Sequence, residues 1–218
     1  MSQVVKSKGL LSILILGSGN VVGTLISALA LILFSRFMGP TEFGLFSAAF
    51  ATMQILVRLA DLGTNMATER AIARVHGQDN SLADRLMRTA FWFKLLVTTL
   101  TLTIAWIFSP WIAHSFLHLE DVQLIHLAIL TSIGTVFFEY STIVFQSTQH
   151  FAAVARITIA QALGKLIFGL IFITQGMLNA SSALLIYGIL PGIGAFLGWN
   201  YRVLTSFSLP ATWKKDLR

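Results

Sequence analysis

Five ionisable residues lie inside apolar stretches of the sequence: Arg58, Asp61, Lys94, Glu139 and Lys165. A charge at the centre of a membrane helix costs at least ~2.5–3.5 kcal/mol on insertion scales, so such residues are candidates for binding a ligand or an ion. Three are cations and two are carboxylates, which gives a net charge of +1. Arginine and lysine donate charge-assisted hydrogen bonds to phosphate oxygens. The set therefore favours an anionic ligand that carries phosphate.

Two amides accompany these cations at helical spacing. Gln54 precedes Arg58 by one turn, and Gln161 precedes Lys165 by one turn, so each pair shares a helix face. Amides can hydrogen-bond sugar hydroxyls, although ordinary contacts between helices explain them equally well. The sequence predicts a substrate-binding set of Arg58, Lys165, Lys94, Gln54 and Gln161, suited to a glycan phosphate.

The two carboxylates have a different expected role. Asp61 lies three residues after Arg58, on the same helix face, and could orient that arginine. Glu139 could relay a proton or bind sodium, so coupling to H⁺ or Na⁺ is the one cofactor-like requirement we expect. The alternative is that the charges pair among themselves, as Lys94 with Glu139, or that Lys94 extends to the inner headgroups.

The composition is that of an integral membrane protein. The chain has 218 residues, of which 56% are hydrophobic and 11% charged, and its mean hydropathy is +0.78. Soluble domains carry about 25% charged residues. There is no cysteine, which excludes disulfides and thiolate metal sites. The net charge of +6 is expected to reflect cytoplasmic loops beside anionic lipid rather than a nucleic-acid partner.

Six stretches have the roughly 20 apolar residues that a membrane-spanning helix needs. They cover residues 10–34, 43–66, 89–108, 122–145, 157–178 and 182–201. The polar segment 67–88 is typical of an amphipathic cytoplasmic helix, a turn and the polar start of the third helix. The sequence therefore predicts an all-α, multi-pass membrane protein with six transmembrane helices.

The basic residues predict the orientation. Eleven of the fifteen Lys and Arg residues lie at the N-terminus, in alternate loops and in the C-terminal tail, whereas the opposite loops hold only Arg36. Cytoplasmic loops are enriched in Lys and Arg, so both termini are expected to be cytoplasmic. At 1.5 Å per residue, all five charges then fall in the cytoplasmic half of a ~30 Å core. We therefore expect an apolar outer half and a polar inner site.

Small residues predict close helix packing, because they allow backbones to approach in lipid. Gly19 and Gly23 have the required spacing of four in the first helix, and Gly188 and Gly192 have it in the sixth. A tight bundle within one chain is the expected use, with homodimerisation as the alternative. Pro191 should kink the sixth helix.

Catalytic and metal chemistry have little support. His114 and His118 are four residues apart and could share a metal on a helix, but they lie at a membrane interface, and no metal site is expected. Asp79 and Asp84 are the only loop pair that could hold Mg²⁺ for a sugar-phosphate transferase, and flanking arginines favour a solvated face. No catalytic residues are assigned, and an enzyme is not expected.

Three segments carry a resemblance to a known family. The segment SRFMGPTEFGLFSAAFA contains Arg36, Gly39, Pro40, Phe43 and Gly44. It resembles the first-to-second helix junction of the polysaccharide flippase family (Wzx or PST transporters). ADLGTNMATERAIAR resembles the inner end of that family's second helix, and FQSTQHFAAVARI its fourth-to-fifth connection. The family belongs to the multidrug/oligosaccharidyl-lipid/polysaccharide exporter superfamily.

The resemblance implies a function and an architecture. It implies a transporter of undecaprenyl-pyrophosphate-linked oligosaccharide repeat units across the bacterial inner membrane, for O-antigen of lipopolysaccharide, capsule or exopolysaccharide. Family members have two six-helix lobes, and this chain is about half as long. Residues 1–203 resemble the first lobe, and the basic tail 204–218 resembles the linker to a second one. The implied partners are lipid-linked oligosaccharide, membrane lipids, and a second lobe or homodimer partner, and a lone lobe is expected to be poorly active.

Two other functions stay open at this point. One is a drug or metabolite antiporter of the same superfamily, against which the excess of cations argues mildly. The other is a truncated remnant that inserts into the membrane without transporting.

Overall fold

The computed structural model describes the backbone of residues 2–116 and 122–199, and the side chains of residues 16–115 and 122–196. Within these ranges the chain forms helices and short connections, with no strand. The elements are α1 (Ser2–Asp61), α2 (Thr64–Val75), α3 (Asn80–Ile107), α4 (Ser109–Trp111), a π-helical turn (Ile112–Phe116), α5 (Val122–Ser147), α6 (Phe151–Thr174) and α7 (Ala180–Trp199). The prediction of an all-α protein is confirmed. The tail 204–218 lies outside the described residues.

Helix α1 consists of two arms that fold back on each other at Gly39. This residue has φ 76° and ψ 167°, a conformation open almost only to glycine, and Pro40 then removes a backbone donor. The rings of Phe34 and Phe46 lie 6.2 Å apart, whereas twelve residues of straight helix would separate them by about 18 Å. The first arm therefore covers residues 2–38 and the second covers 40–61.

Long apolar helices dominate the described part of the chain. Four stretches are long and apolar enough to cross a membrane, namely Leu16–Asp61, Asn80–Ile107, Val122–Ser147 and Phe151–Thr174, and Ala180–Phe196 is a shorter apolar helix. The first stretch has 46 residues, about 69 Å of helix, which is more than twice the ~30 Å hydrocarbon core. Its fold at Gly39 divides that length. The chain is thus a multi-pass membrane protein, while the count of six spans and the cytoplasmic position of both termini stay predictions.

Among the helix boundaries that differ from those expected, two lie near the predicted site residues. The second arm of α1 ends at Asp61 instead of continuing to residue 66, because Leu62 (φ 46°) and Gly63 (φ 76°) adopt left-handed backbone conformations. Helix α6 begins at Phe151, six residues before the predicted start, because residues 151–155 are apolar and Arg156 is the one charged residue among the six, so nothing in this segment ends a helix. The second difference places Lys165 farther from the start of its helix.

Helix α3 begins at Asn80, nine residues before its apolar part. Asp79 caps this end, because its side chain accepts hydrogen bonds from the Ser81 hydroxyl at 2.7 Å and the Leu82 N–H at 3.0 Å. These bonds hold the pKa of Asp79 below its ordinary value. The interpretation of 67–88 as a helix, a turn and the polar start of a longer helix is confirmed.

Glycines let the helices approach one another closely. A Cβ atom added at Gly19 would lie 2.5 Å from the Ala155 Cβ of α6, and one added at Gly23 would lie 2.9 Å from the Thr158 side chain. Along α7, Gly188 packs directly on Thr131 of α5. The close packing expected from small residues is therefore confirmed within the chain, and α7 remains helical through Pro191.

The contacts define two ends of the bundle. The second arm of α1 runs parallel to α5, because Met53 meets Thr131 and Arg58 meets Glu139. Helix α6 runs parallel to the first arm, since its residues 155 and 158 meet residues 19 and 23. We call the end with Gly39 the hinge end, and the opposite end, where Asp61 and Glu139 lie, the charged end.

Candidate functional site

Four of the five charges predicted from the sequence form two ion pairs at the charged end. Arg58 Nη2 lies 3.3 Å from Glu139 Oε1, and Lys94 Nζ lies 2.9 Å from Asp61 Oδ1. Pairing among the charges was one of the alternatives, but the partners differ from those expected. Lys94 pairs with Asp61 rather than Glu139, and Glu139 rather than Asp61 forms the salt bridge with Arg58.

The position of Asp61 explains this exchange of partners. It is the last residue of α1, and its Oδ1 accepts the backbone N–H of Asn65 at 3.0 Å and the hydroxyl of Thr64 at 3.3 Å. The carboxylate is thus directed at the first turn of α2, where unpaired helix N–H groups favour negative charge. From there it meets Lys94 on α3, so it ties three helices together.

Lys94 is enclosed by acceptors. Its side chain is 2% exposed, and its ammonium group donates to Asp61 at 2.9 Å, Asn65 Oδ1 at 3.2 Å and Thr64 Oγ1 at 3.5 Å. An ammonium group has three donors, and three acceptors surround this one. Lys94 is predicted from the sequence to bind substrate, but it lies in a closed position. An anion could bind its ammonium group only by displacing Asp61.

Asn65 is a member of the site that sequence reasoning missed. Its side-chain N–H donates to Glu139 Oε2 at 3.4 Å, and its side-chain oxygen accepts from Lys94. One amide therefore joins the two ion pairs. The available signal was its place on the inner face of an amphipathic helix, four residues after a membrane carboxylate, but an uncharged residue does not stand out in a search for buried charge.

Arg58 is in an open position. Its side chain is 69% exposed, whereas that of its partner Glu139 is 24% exposed. Arginine has five N–H donors in a planar fork that matches phosphate oxygens. With one edge of the guanidinium near Glu139 and most of the group exposed, Arg58 can bind an anion without disturbing the Lys94 pair.

Lys165 occupies a separate level of the bundle. Its ammonium nitrogen lies 4.7 Å from the centroid of the Tyr187 ring, within the range of a cation–π interaction. The Tyr187 and Phe50 rings are 5.1 Å apart, and Phe50 precedes Arg58 by eight residues, about 12 Å of helix. Lys165 therefore lies about 12 Å closer to the hinge end than Arg58 does.

Lys165 therefore lies at a different level of the bundle from Arg58, while the position of all five charges in the cytoplasmic half of the membrane stays a prediction. Helix α6 begins at Phe151, so Lys165 lies fourteen residues into the helix, about 21 Å from its start.

Gln54 and Gln161 lie between these two levels. Gln54 is one turn from Arg58 toward the hinge end, and Gln161 is one turn from Lys165 toward the charged end. Each displacement is about 6 Å along its helix. Both side chains are half-buried. The predicted polar residues thus form three successive levels rather than one cluster.

The hinge end contains a serine–histidine pair that is structural. The Ser109 hydroxyl donates to the Trp106 carbonyl at 2.8 Å and lies 2.8 Å from His126 Nε2. With its hydroxyl proton directed at the carbonyl, Ser109 can accept a hydrogen bond from the histidine nitrogen. His126 also stacks on Trp106, with ring centroids 4.1 Å apart. These contacts pack α5 against the end of α3.

The described residues contain no group of three His, Cys, Asp or Glu side chains that could hold a metal ion. Of the histidines considered for a metal, His114 is exposed, and His118 lies outside the described residues.

Comparison with known proteins identifies the family. The model of the polysaccharide biosynthesis protein family matches residues 10–218, which is nearly the whole chain. The chain belongs to this family. The resemblance to polysaccharide flippases seen in the three sequence segments is thereby confirmed. No curated protein matches the chain.

Solved structures support the fold of this family member. The chain resembles a MATE protein whose crystal structure was determined in complex with MaL6, with a TM-score of 0.66 and 17% sequence identity. The match covers 89% of this chain and 47% of the MATE chain. The chain therefore has the fold of about half of that protein.

Proposed function

We propose that this protein is one lobe of a flippase for undecaprenyl-pyrophosphate-linked oligosaccharide repeat units in the bacterial inner membrane, serving O-antigen, capsule or exopolysaccharide synthesis. The observation that carries the proposal is the open position of Arg58 in an apolar, multi-pass member of the polysaccharide biosynthesis family. A lipid-linked sugar presents a pyrophosphate, and an exposed guanidinium binds phosphate oxygens in pairs.

The other predicted residues line a path for the substrate from Arg58 toward the hinge end. The pyrophosphate binds Arg58 first, the sugar hydroxyls meet Gln54 and Gln161, and Lys165 provides a second cation about 12 Å closer to the hinge end. Lys165 is half-buried with its ammonium group over the Tyr187 ring, and a charge–phosphate attraction is stronger there than in bulk water. The Lys94–Asp61 ion pair keeps together the helices that line this path.

The proposal includes a partner for the exposed side of α1. Three large apolar side chains surround Arg58 on that side: Ile55 is 54% exposed, Leu59 50% and Leu62 70%. A second lobe, or a second copy of this chain, would cover this face and enclose the arginine. The match to about half of a MATE chain fits a partner of similar size.

Two competing functions are less well supported by the geometry. An antiporter of cationic drugs needs an available carboxylate, but both Asp61 and Glu139 are in ion pairs. A magnesium-dependent sugar-phosphate transferase would need Asp79, whose side chain is engaged in capping α3. We therefore propose a transporter without catalytic residues, metal or organic cofactor, coupled to H⁺ or Na⁺ through Glu139.

Complementation tests this function. A bacterial strain that lacks its own flippase should recover surface polysaccharide when it expresses two copies of this chain fused in tandem, and Arg58→Ala in both copies should abolish the recovery while membrane insertion is unchanged. Arg36→Ala is the matched control, because Arg36 is another exposed arginine of α1, near the hinge end. Equal recovery with Arg58→Ala and with the wild-type protein would contradict the proposal.

A further inference from the structure

The two ion pairs at the charged end differ in how easily they can open. Lys94 is 2% exposed and meets three acceptors, whereas Arg58 is 69% exposed and is held at 3.3 Å by Glu139. An anion that approaches the bundle therefore encounters Arg58 and competes with one carboxylate, Glu139, for the guanidinium.

Glu139 is arranged so that it can lose this interaction and stay in place. Its Oε1 faces Arg58, and its Oε2 accepts a hydrogen bond from the Asn65 side chain. A proton on Oε1 would remove the negative charge of Glu139. It would also point at the N–H donor of Arg58, so two donors would face each other and the salt bridge would open. The bond from Asn65 to Oε2 would remain, because a protonated carboxyl group keeps acceptor capacity.

The charged groups around Glu139 balance one another. Arg58 and Asp61 approach it from α1 and Lys94 approaches from α3, while α2 contributes the neutral Asn65. Lys94 and Asp61 neutralise each other at 2.9 Å. The charge state of Glu139 therefore decides whether the guanidinium of Arg58 has a protein counter-ion.

We propose that Glu139 is an exchangeable counter-ion, so that a phosphate-bearing ligand binds Arg58 as Glu139 takes up one proton from water. The proposal rests on the proposed function in assigning the phosphate to Arg58, and it adds the coupling. Before binding, Arg58 pairs with Glu139. Afterwards Arg58 pairs with a phosphate oxygen and Glu139 is neutral, with its second oxygen still bonded to Asn65.

The linkage between ligand and proton sets the direction of the pH effect. If binding takes up one proton, affinity falls as pH rises above the titration of Glu139, by at most tenfold per pH unit. By reciprocity, the bound ligand favours protonation of Glu139. Release of the ligand at the other side of the membrane would return the proton.

Binding of a defined probe to the whole chain in nanodiscs tests the coupling. A suitable probe is a short prenyl pyrophosphate linked to one N-acetylglucosamine, whose two phosphates are diesters and do not titrate between about pH 5.5 and 8.5. Wild-type affinity should decrease by up to tenfold for each unit of rising pH. Glu139→Gln, which removes the negative charge but keeps an oxygen for Asn65, should bind tightly and independently of pH.

Glu42→Gln provides the matched control. Glu42 lies near the hinge end and accepts the backbone N–H of Ala180 at 2.8 Å, and its replacement should leave the pH dependence of binding unchanged. Calorimetry of the wild-type protein in buffers of different ionisation enthalpy gives a second measurement that needs no variant. It should show uptake of about one proton per bound probe.

The outcomes separate the coupling from the function. Wild-type binding that depends on Arg58 but neither varies with pH nor takes up a proton would overturn the proton coupling through Glu139, while the proposed transport of a lipid-linked sugar by way of Arg58 would stand. Weaker binding by Glu139→Gln at every pH would also overturn it, because Glu139 would then assist the anion. Binding unaffected by Arg58→Ala would contradict the proposed function itself.

Discussion

The Lys94 ammonium group lies 2.9 Å from Asp61 Oδ1, although 33 positions separate the two residues in the sequence. This ion pair joins the end of α1 to the middle of α3, and Asn65 extends it to α5 through Glu139. The charged end of the bundle is therefore held by these polar contacts together with an apolar cluster of Phe91, Tyr140 and Val144 between α3 and α5. They place Arg58 at the edge of a rigid network.

Breaking the Lys94–Asp61 pair should destabilise the protein strongly. Lys94→Met leaves the Asp61 carboxylate without its cation, and removal of one partner of a buried ion pair typically costs about 3–5 kcal/mol. The double variant Lys94→Met with Asp61→Asn should recover part of this loss. Thermal unfolding in detergent measures both effects. A Tm of Lys94→Met equal to that of the wild-type protein would show that the pair contributes nothing to stability.

Close packing of α5 and α7 should not tolerate a side chain at Gly188. A Cβ atom there would overlap Thr131, so Gly188→Ala should force the helices apart at a cost of about 1–3 kcal/mol. Gly44→Ala is the matched control, because a Cβ at Gly44 meets nothing within 4 Å. The control should be neutral or slightly stabilising, since alanine is the better helix former. Equal unfolding temperatures for the two variants would contradict this packing.

The fold of α1 at Gly39 should also depend on glycine. A side chain at φ 76° and ψ 167° is strained by about 1–3 kcal/mol, so Gly39→Ala should lower the unfolding temperature. Gly17→Ala is a control in the same helix, because space is open around Gly17 and its backbone is helical. The prediction fails if the two alanine variants are equally stable.

Acid should loosen the first turn of α3. The pKa of Asp79 is lowered by hydrogen bonds from Ser81 and Leu82, so the capping contribution is fully present above the ordinary aspartate pKa of about 3.9. It is lost as pH falls through the lower folded-state value. Hydrogen exchange of residues 80–83, corrected for the intrinsic pH effect, should therefore show less protection near pH 3 than near pH 6. Asp79→Ala should remove this difference, and an unchanged difference would exclude Asp79 as its source.

Lys165 should affect movement of the substrate more than its capture. Lys165→Met removes the cation over the Tyr187 ring, about 12 Å from Arg58, so we expect export to fall at least tenfold while probe affinity changes little. Lys165→Arg keeps the charge and should retain most of the export. Loss of probe binding in Lys165→Met would instead place both cations in one binding site.

The sequence predicted the elements of this fold more fully than their contacts. Helix lengths follow from the apolar runs, and the Gly39-Pro40 break follows from residues that end helices. The level of Lys165 in the bundle could not be predicted, because it depends on how α6 packs against its neighbours, which places the ammonium group over the Tyr187 ring. Which carboxylate meets which cation also depends on helix rotation, and the left-handed turn at Leu62 and Gly63 directs Asp61 toward Lys94. Asn65 was missed because it carries no charge.

Direct measurement of ligand binding to Arg58 tests the central claim most closely. Undecaprenyl-pyrophosphate-linked oligosaccharide should bind the wild-type chain in nanodiscs, and undecaprenol without phosphate should not compete. Arg58→Ala should weaken binding at least tenfold, which is about 1.4 kcal/mol, whereas Arg36→Ala should leave the Kd unchanged. Equal affinity of the wild-type, Arg58→Ala and Arg36→Ala proteins for the lipid-linked sugar would contradict the account.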